Sequence, residues 1–271
     1  MGKIADVSHH QGVIDWNKAS KELDLVIIRT KYGSNTTDRQ YKNNVAGAQK
    51  YKVPYGLYHY AQFVSVKDAI QEAKDFLKTA THEAKFLVLD VEEQTCNTVS
   101  ELVQATQVFI NICKAEDYRV GLYTGHHFYD PYRMDQVEAD FLWIPRYSSK
   151  KPIYKCDLWQ YTDSGKVSGI KGNVDLNVLN GDKSLEWFID ESSVSSDNKS
   201  LNINKSKGIG YIKVLKNNIL RAEPTPYSEQ IKMLKKDEVY YVYDIKNDWY
   251  NLGPGWAKSE KAKYFKYYPH E

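Results

Sequence analysis

Eight short apolar segments, rich in β-branched and aromatic residues, recur along the first 176 residues and most constrain the fold. They lie at 4–8, 25–30, 54–60, 86–91, 119–123, 141–145, 156–161 and 173–176. Helical patterns separate the first five, at 15–22, 38–51, 66–77 and 99–115, and a short helical piece follows near 133–138. Alternating strands and helices predict a parallel α/β sheet, and eight strands predict its closure into a barrel. The last connections are too short and too rich in Gly, Lys and Pro for helices.

The fourth segment runs directly into acidic residues, as FLVLDVEE at 86–93. Side chains alternate along a strand, so Asp90 and Glu92 share one face. Two carboxyl groups held close together push their pKa values apart, so that one can stay protonated as a general acid while the other remains a carboxylate. Acids satisfied by Arg or Lys are also common at strand ends, so this motif needs support from other segments.

The carboxyl ends of all eight predicted strands carry acids and aromatic residues, and barrel enzymes place their sites at that end. Aromatic rings stack on sugar rings, and carboxyl groups bind hydroxyls and protonate glycosidic oxygens. The pattern therefore predicts a glycan cleft. Its residues are Asp6, Lys31, Tyr32, Tyr58, Tyr60, Asp90, Glu92, Tyr123, Trp143, Tyr147, Trp159, Tyr161 and Asp175.

The histidines and cysteines do not show metal-ligand spacing. His9-His10, His59 and His126-His127 lack an i, i+4 or His-x-His arrangement, and the three cysteines at 96, 113 and 156 are widely separated. We expect no metal, no cofactor and no disulfide framework.

The last third of the chain has a different character. Residues 1–199 carry 24 basic and 27 acidic side chains, whereas 200–271 carry 13 basic and 8 acidic ones. A Ser-, Asn- and Lys-rich stretch at 191–207 predicts a linker, and the short strands and turns beyond it predict a small all-β barrel at 208–271. No apolar run is long enough to span a membrane, and the N-terminal residues do not resemble a signal peptide.

Seven short motifs, in order, resemble those of glycoside hydrolase family 25, the Chalaropsis-type muramidases. They are DVSHHQGVIDW, YGLYHYA, LVLDVEE, GLYTG, FLWIPRY, DLWQYT and NVDLN, which fall within residues 1–190. The resemblance implies an irregular TIM-like barrel with five βα units and three bare strands. It also implies hydrolysis of the β-1,4 bond from N-acetylmuramic acid to N-acetylglucosamine in peptidoglycan.

Carried onto this sequence, the resemblance makes Glu92 the general acid and Asp90 the group that orients or stabilises the 2-acetamido group of the substrate. It makes Asp6 and Asp175 flanking acids of the same pocket. Substrate-binding roles are expected for six residues of the predicted cleft: Lys31, Tyr58, Tyr60, Tyr123, Trp143 and Trp159. The sequence leaves retaining or inverting geometry open, because the separation of the carboxyl groups decides it.

Residues 208–271 more loosely resemble bacterial Src-homology-3-like wall-binding domains, and the combination is similar to bacteriophage endolysins. We therefore expect peptidoglycan as substrate and wall ligand, no nucleic acid and no membrane insertion. We also expect the protein to remain in the cytoplasm of the host bacterium until holin-dependent release to the cell wall. Two alternatives remain, a non-catalytic wall-binding protein and another barrel glycosidase of chitinase type. The target bacterium and the oligomeric state are open.

Overall fold

The computed structural model describes residues 2–116, 118–190, 208–253 and 255–269. The chain divides into two compact units, Met1–Asp197 and Asn198–Glu271. The predicted linker at 191–207 lies outside the described residues. Within the described part of the chain, no helix has the length and apolar character needed to cross a membrane.

Eight strands of the first unit close into a barrel, as predicted. Strand β1 pairs with both β2 and β9, and the intervening order is β9-β8-β7-β6-β5-β4-β2, with β3 added as a short ribbon on β2. The strands are β1 Lys3–Val7, β2 Leu23–Tyr32, β3 Thr36–Thr37, β4 Tyr55–Tyr60, β5 Leu87–Val91, β6 Val120–Thr124, β7 Phe141–Pro145, β8 Leu158–Gly165 and β9 Val174–Leu179.

The last barrel strand runs against the others, so the prediction of a wholly parallel sheet is wrong there. Strand β9 is antiparallel to both β8 and β1. Only a short loop joins Gly165 to Val174, whereas a parallel crossover needs a dozen or more residues. Because β9 is reversed, its first residues lie at the end of the barrel where the parallel strands finish. This reversal brings Asp175, near the start of β9, to the predicted mouth.

Helices cover the barrel after its first four strands. They are α1 Trp16–Ala19, α2 Tyr41–Lys50, α3 Val66–Leu77 and α4 Val99–Lys114. The fifth predicted helix is only a 3-10 turn at Met134–Gln136, because Arg133 just before it has a left-handed φ of 57° that interrupts a helix. A helix that the sequence analysis missed, α5 at Leu185–Ile189, follows β9.

Aromatic rings fill the barrel interior below the mouth. Phe188, carried by α5, packs against Phe86 and Phe141 with ring centroids 5.5 and 5.0 Å apart. Glycines on neighbouring strands leave room for these rings, because a Cβ on Gly121 would lie 2.3 Å from Cζ of Phe141. Large and small residues thus alternate around the barrel, as close packing requires.

The second unit is all-β, with a three-stranded sheet, β13-β10-β17, and a five-stranded sheet, β12-β11-β16-β15-β14. Its core contains Ile212, Leu220, Val242 and Phe265. Strand β17 pairs with β10 along its whole length. The strands are β10 Gly210–Val214, β11 Asn218–Arg221, β12 Gln230–Leu234, β13 Val239–Val242, β14 Asp244–Lys246, β15 Trp249–Asn251, β16 Trp256–Lys258 and β17 Phe265–Pro269.

We expect Gly121→Ala to lower the free energy of unfolding of the barrel by about 1–3 kcal/mol, since the added methyl group overlaps the Phe141 ring. Urea unfolding measures this loss. Phe141→Leu combined with Gly121→Ala should show a favourable coupling in a double-mutant cycle, because the smaller side chain makes room. A Gly121→Ala variant as stable as the parent would contradict the packing argument.

Candidate active site

The barrel brings all four predicted acids together at one end. Asp6 on β1 lies opposite Asp175 on β9, and Asp90 on β5 lies between Tyr60 on β4 and Tyr123 on β6. Glu92 follows β5 by one residue and shares the face of Asp90. Asp6 and Asp90 are buried, whereas Glu92 and Asp175 are partly exposed. Two buried carboxyl groups therefore lie beside two that solvent can reach.

An amide network holds the carboxylate of Asp6. Its Oδ2 accepts hydrogen bonds from Nε2 of Gln160 at 3.0 Å and from Nδ2 of Asn177 at 2.8 Å. The hydroxyl groups of Tyr123 and Tyr147 donate to Oε1 of Gln160, and the indole N–H of Trp143 donates to Oδ1 of Asn177. These outer bonds fix both amides with their N–H groups toward Asp6.

Asp90 and Glu92 influence each other's ionisation. Burial raises the pKa of Asp90 well above its usual range, and the negative charges of Glu92 and Asp6 raise it further, while Arg29 opposes them. Burial also raises the pKa of Glu92, and His127 lowers it. In the described part of the chain, Oδ1 of Asp90 is buried and has no hydrogen-bond partner. The pair therefore favours keeping a proton in the unliganded protein.

Asp6 and Asp175 form a second carboxyl pair. Burial and the charge of Asp6 raise the pKa of Asp175 to about 8. Burial also raises the pKa of Asp6, but the side-chain hydrogen bonds from Asn177, Gln160 and Asp175 lower it. The pKa values of both acids are thus raised, and the hydrogen bond between them favours the shared proton on Asp175 and Asp6 as its acceptor.

A cation near the site was missed by the sequence analysis. Arg29 donates through Nε to Oδ2 of Asp38 at 3.0 Å and contacts Nδ1 of His9. Asp38 also accepts from the backbone N–H of His9 at 3.0 Å and of Gln40 at 2.9 Å. These contacts connect the loops after β1 and β2 to the guanidinium group of Arg29, whose positive charge lowers the pKa of Asp90. The alternation of Leu25, Ile27 and Arg29 along β2 was the available signal.

Four predicted substrate-binding aromatic residues lie at or below the mouth. Tyr58, Tyr123 and Trp143 form part of the inner core, with Trp143 packed edge-on against both tyrosines at 6.4 and 4.6 Å. Tyr60 lies at the rim, where its ring stacks on Tyr32 at 4.8 Å and its hydroxyl donates to Glu93 at 2.9 Å. The buried rings support the acids, and the rim pair offers an accessible aromatic surface.

Two other predicted binding residues are not brought to the mouth. Trp159 packs on the outer side of the sheet with Ile144 and Cys156, and the next residue, Gln160, points inward instead. An aromatic cleft was expected to include Trp159, although strand alternation allows only one of the two residues to face inward. Lys31 is buried, and its Nζ donates to the carbonyl of Ser34. An irregularity of the β2–β4 register falls between Arg29 and Lys31.

The histidine on β4 has structural partners. His59 is buried behind β4, where Nε2 lies 2.6 Å from Oε1 of Glu72 and the ring packs against Phe76 and Phe109. Among the described residues, no group of three His, Cys, Asp or Glu side chains could hold a metal ion. The chemistry available at the mouth is proton transfer and electrostatic stabilisation by carboxyl groups.

The first unit is similar in sequence and structure to known proteins. A sequence model described as Glycosyl hydrolases family 25 matches residues 5–170. The catalytic domain of endolysin ply40 from bacteriophage P40 of Listeria monocytogenes is 31% identical, with a TM-score of 0.63; the match covers 66% of this chain and 93% of that one.

Two further matches carry names related to cell walls. The autolytic lysozyme of Clostridium acetobutylicum is 29% identical over 181 residues, 65% of this chain and 55% of that protein. The autolysin LytC of Streptococcus pneumoniae, solved with a synthetic peptidoglycan ligand, is 25% identical with a TM-score of 0.55; the match covers 65% of this chain and 46% of that one.

We expect Asp175→Asn to stabilise the protein at alkaline pH. The pKa of Asp175 is raised from 3.8 to about 8, so between pH 4 and 8 the folded state binds more protons than the unfolded state and stability falls as pH rises. Asn stays neutral and removes this pH-dependent loss of stability. The free energy of unfolding should therefore rise by about 1 kcal/mol at pH 8, after allowance for solvent screening, and by almost nothing at pH 4. Urea unfolding at several pH values measures the difference.

Asp135→Asn is the matched control for this prediction, because Asp135 is an exposed carboxyl group in the 3-10 turn. Its effect should not grow with pH. A stability difference for Asp175→Asn that is equal at pH 4 and pH 8 would exclude an Asp175 that is protonated at neutral pH in the folded protein.

Proposed function

This chain belongs to glycosyl hydrolases family 25, and on that premise we propose that it cleaves the β-1,4 bond between N-acetylmuramic acid and N-acetylglucosamine. It is a glycoside hydrolase of the muramidase class, and peptidoglycan is its substrate. One observation carries the proposal for the site: Asp90 and Glu92 share a face at the barrel mouth, one buried and one accessible.

Glu92 is the proposed general acid. It is the accessible member of the pair, and burial raises its pKa, which favours the protonated form that can donate. That proton passes to the glycosidic oxygen as the bond to the sugar breaks, which gives the leaving group its hydroxyl hydrogen. The positive charge that develops on the sugar ring lies against the surrounding carboxylates.

Asp90 is the proposed partner that orients the 2-acetamido group. Its unpaired Oδ1 offers an acceptor for the acetamido N–H, and such a bond favours the charged form of a carboxyl group. Substrate binding would therefore lower the pKa of Asp90 and leave the shared proton on Glu92. The acetamido oxygen then attacks the anomeric carbon as the glycosidic bond breaks and the leaving oxygen takes the proton of Glu92. Water next attacks the same carbon, opens the resulting ring and returns a proton to Glu92, so the anomeric configuration is retained. This order explains how Asp90 can be protonated at rest and anionic in the reaction.

Asp6 and Asp175 shape the opposite side of the pocket. The amide network fixes Asp6, while Asp175 is partly exposed and can accept a hydrogen bond from a sugar hydroxyl. Tyr60 and Tyr32 are the proposed rim surface for a sugar face. Tyr58, Tyr123 and Trp143 support these groups from below.

The alternatives receive less support. A non-catalytic wall-binding protein would not need four acids assembled with shared protons. A chitinase-type barrel is disfavoured by the family match at 5–170.

An endolysin role with later release to the wall is part of the proposal, because the matched proteins include a phage endolysin. We also propose that 208–271 is a Src-homology-3-like wall-binding domain. Its support is the all-β fold of two small sheets and the basic composition.

We expect Glu92→Gln to lower the rate of peptidoglycan hydrolysis by about 10²–10⁴, because it keeps the shape but removes the transferable proton. The release of reducing ends from purified peptidoglycan measures it. Glu93→Gln is the matched control, since Glu93 is the next residue and accepts from Tyr60, and it should change the rate only a few-fold. Asp90→Asn should be nearly as severe as Glu92→Gln. Near-normal hydrolysis by Glu92→Gln would refute the assignment.

Asp6→Asn should be milder and should move the alkaline limb of the pH profile of kcat/KM to lower pH. The reason is that the negative charge on Asp6 raises the pKa of Asp90 and so helps the pair to keep its proton. A shift to higher pH, or a larger loss of rate than for Glu92→Gln, would mean that the roles of the two pairs are reversed.

A fragment of residues 1–192 should hydrolyse soluble glycan fragments at the full-length rate and lyse intact cells more slowly. The four acids all lie within the first unit, whereas a wall-bound second unit would hold the enzyme at high effective concentration. Turbidity loss of cells and reducing-end release separate the two effects. Equal lysis of cells by both proteins would remove the second unit from the mechanism.

A further inference from the structure

One end of the second unit concentrates positive charge. Two adjacent turns meet there, because the backbone N–H of Lys236 donates to Oδ1 of Asn217 at 2.8 Å. The first turn joins β10 to β11 and the second joins β12 to β13. Strands β10 and β17 add a pair of lysines on the neighbouring sheet. The lysine patch, as we call it, comprises Lys213, Lys216, Lys235, Lys236 and Lys266.

The patch contains an unfavourable pairing. Lys213 and Lys266 lie directly opposite each other on antiparallel strands, where like charges destabilise a sheet. Lys213 is partly compensated by Asp237, whose Oδ1 lies 3.1 Å from its Nζ. Among the described residues, no carboxylate lies within ion-pair distance of Lys266, whose Nζ instead stands 5.2 Å from the centre of the Tyr268 ring. An anion bound between the ammonium groups of Lys213 and Lys266 would relieve their repulsion.

The acids near the patch do not neutralise it. Besides Asp237, the same turn contains Glu238, whose Oε2 accepts from the backbone N–H of Lys235 and from the hydroxyl of Tyr240. Those bonds direct the carboxylate toward its own turn. Lys216, Lys235 and Lys236 are exposed.

Two tyrosines adjoin the charged pair on the same sheet face. Tyr211 and Tyr268 are cross-strand partners on β10 and β17, two residues from Lys213 and Lys266 along each strand, so all four side chains share one face. Their rings stack at 4.7 Å with an angle of 11°. Ammonium groups for anionic oxygens therefore lie next to aromatic surface for C–H groups.

We propose that the lysine patch and the Tyr211–Tyr268 pair bind a phosphodiester-linked polyol or sugar polymer of the bacterial wall. This ligand class rests on the proposed function, since a peptidoglycan substrate places the enzyme among such polymers. A phosphodiester has two free oxygens that share one negative charge, and they can bridge the two opposed ammonium groups. The polyol or sugar units between phosphates would lie along the tyrosines.

The test is co-sedimentation of the full-length protein, on ice, with purified Gram-positive cell walls before and after removal of phosphodiesters by hydrofluoric acid. The variant is Lys213→Gln combined with Lys266→Gln. The matched control is Lys246→Gln combined with Lys258→Gln, which removes the same charge from the other sheet, where both lysines stand over tryptophan rings. We expect the first variant to bind untreated walls about tenfold more weakly and the control less than twofold.

Walls treated with hydrofluoric acid should bind the parent protein about as weakly as untreated walls bind the Lys213/Lys266 variant. On the treated walls, the Lys213/Lys266 variant and the Lys246/Lys258 control should bind equally. Equal losses for variant and control would overturn the proposal in favour of non-specific charge attraction. Undiminished binding to phosphodiester-free walls would overturn it in favour of a peptidoglycan ligand. Tighter binding to duplex DNA or to anionic vesicles than to walls would also overturn it.

Hydrolysis of phosphodiester-free peptidoglycan separates this inference from the proposed function. All variants of the lysine patch should release reducing ends from that substrate at the parent rate. Loss of hydrolysis in the parent would refute the proposed activity and leave the binding result intact.

Discussion

Burial of carboxyl groups at the barrel mouth is the constraint on which the rest of the site depends. Asp6 and Asp90 are almost inaccessible to water, and an isolated buried carboxylate is strongly unfavourable. The protein meets this difficulty in two ways. Asp6 receives the amide groups of Gln160 and Asn177, whereas Oδ1 of Asp90 has no hydrogen-bond partner among the described residues and burial raises the pKa of Asp90. The fold thus stabilises the charged form of one carboxyl group and the neutral form of the other.

The supporting groups are arranged in layers beneath the acids. Rings at the base of the barrel pack around Phe188, and Trp143 connects this core to Asn177. A substitution deep in the barrel can therefore affect the acids through Trp143, because its indole both packs against the core and donates a hydrogen bond to Asn177. Rigid support of this kind keeps a carboxyl pair at one separation, on which the choice between retaining and inverting chemistry depends.

Much of this arrangement was predictable from sequence, because strand periodicity places Asp90 and Glu92 on one face and eight segments require closure. Periodicity did not reveal the direction of β9, since an alternating strand looks the same in either direction. Nor could composition choose between Trp159 and Gln160, although the amide holds Asp6. Arg29 was missed because its partner, Asp38, lies outside the barrel strands and becomes its neighbour only after folding. Contacts made across the fold were thus the least accessible to sequence reasoning.

The pairing of β1 with β9 also has a consequence for biosynthesis. Strand β1 leaves the ribosome long before β9 and finds its second neighbour only when β9 has been made, which is a contact of very long sequence separation. The same event brings Asp175 to Asp6. A nascent chain that stops before β9 has neither a closed barrel nor a complete set of acids, so the site is assembled only when synthesis of the unit is complete.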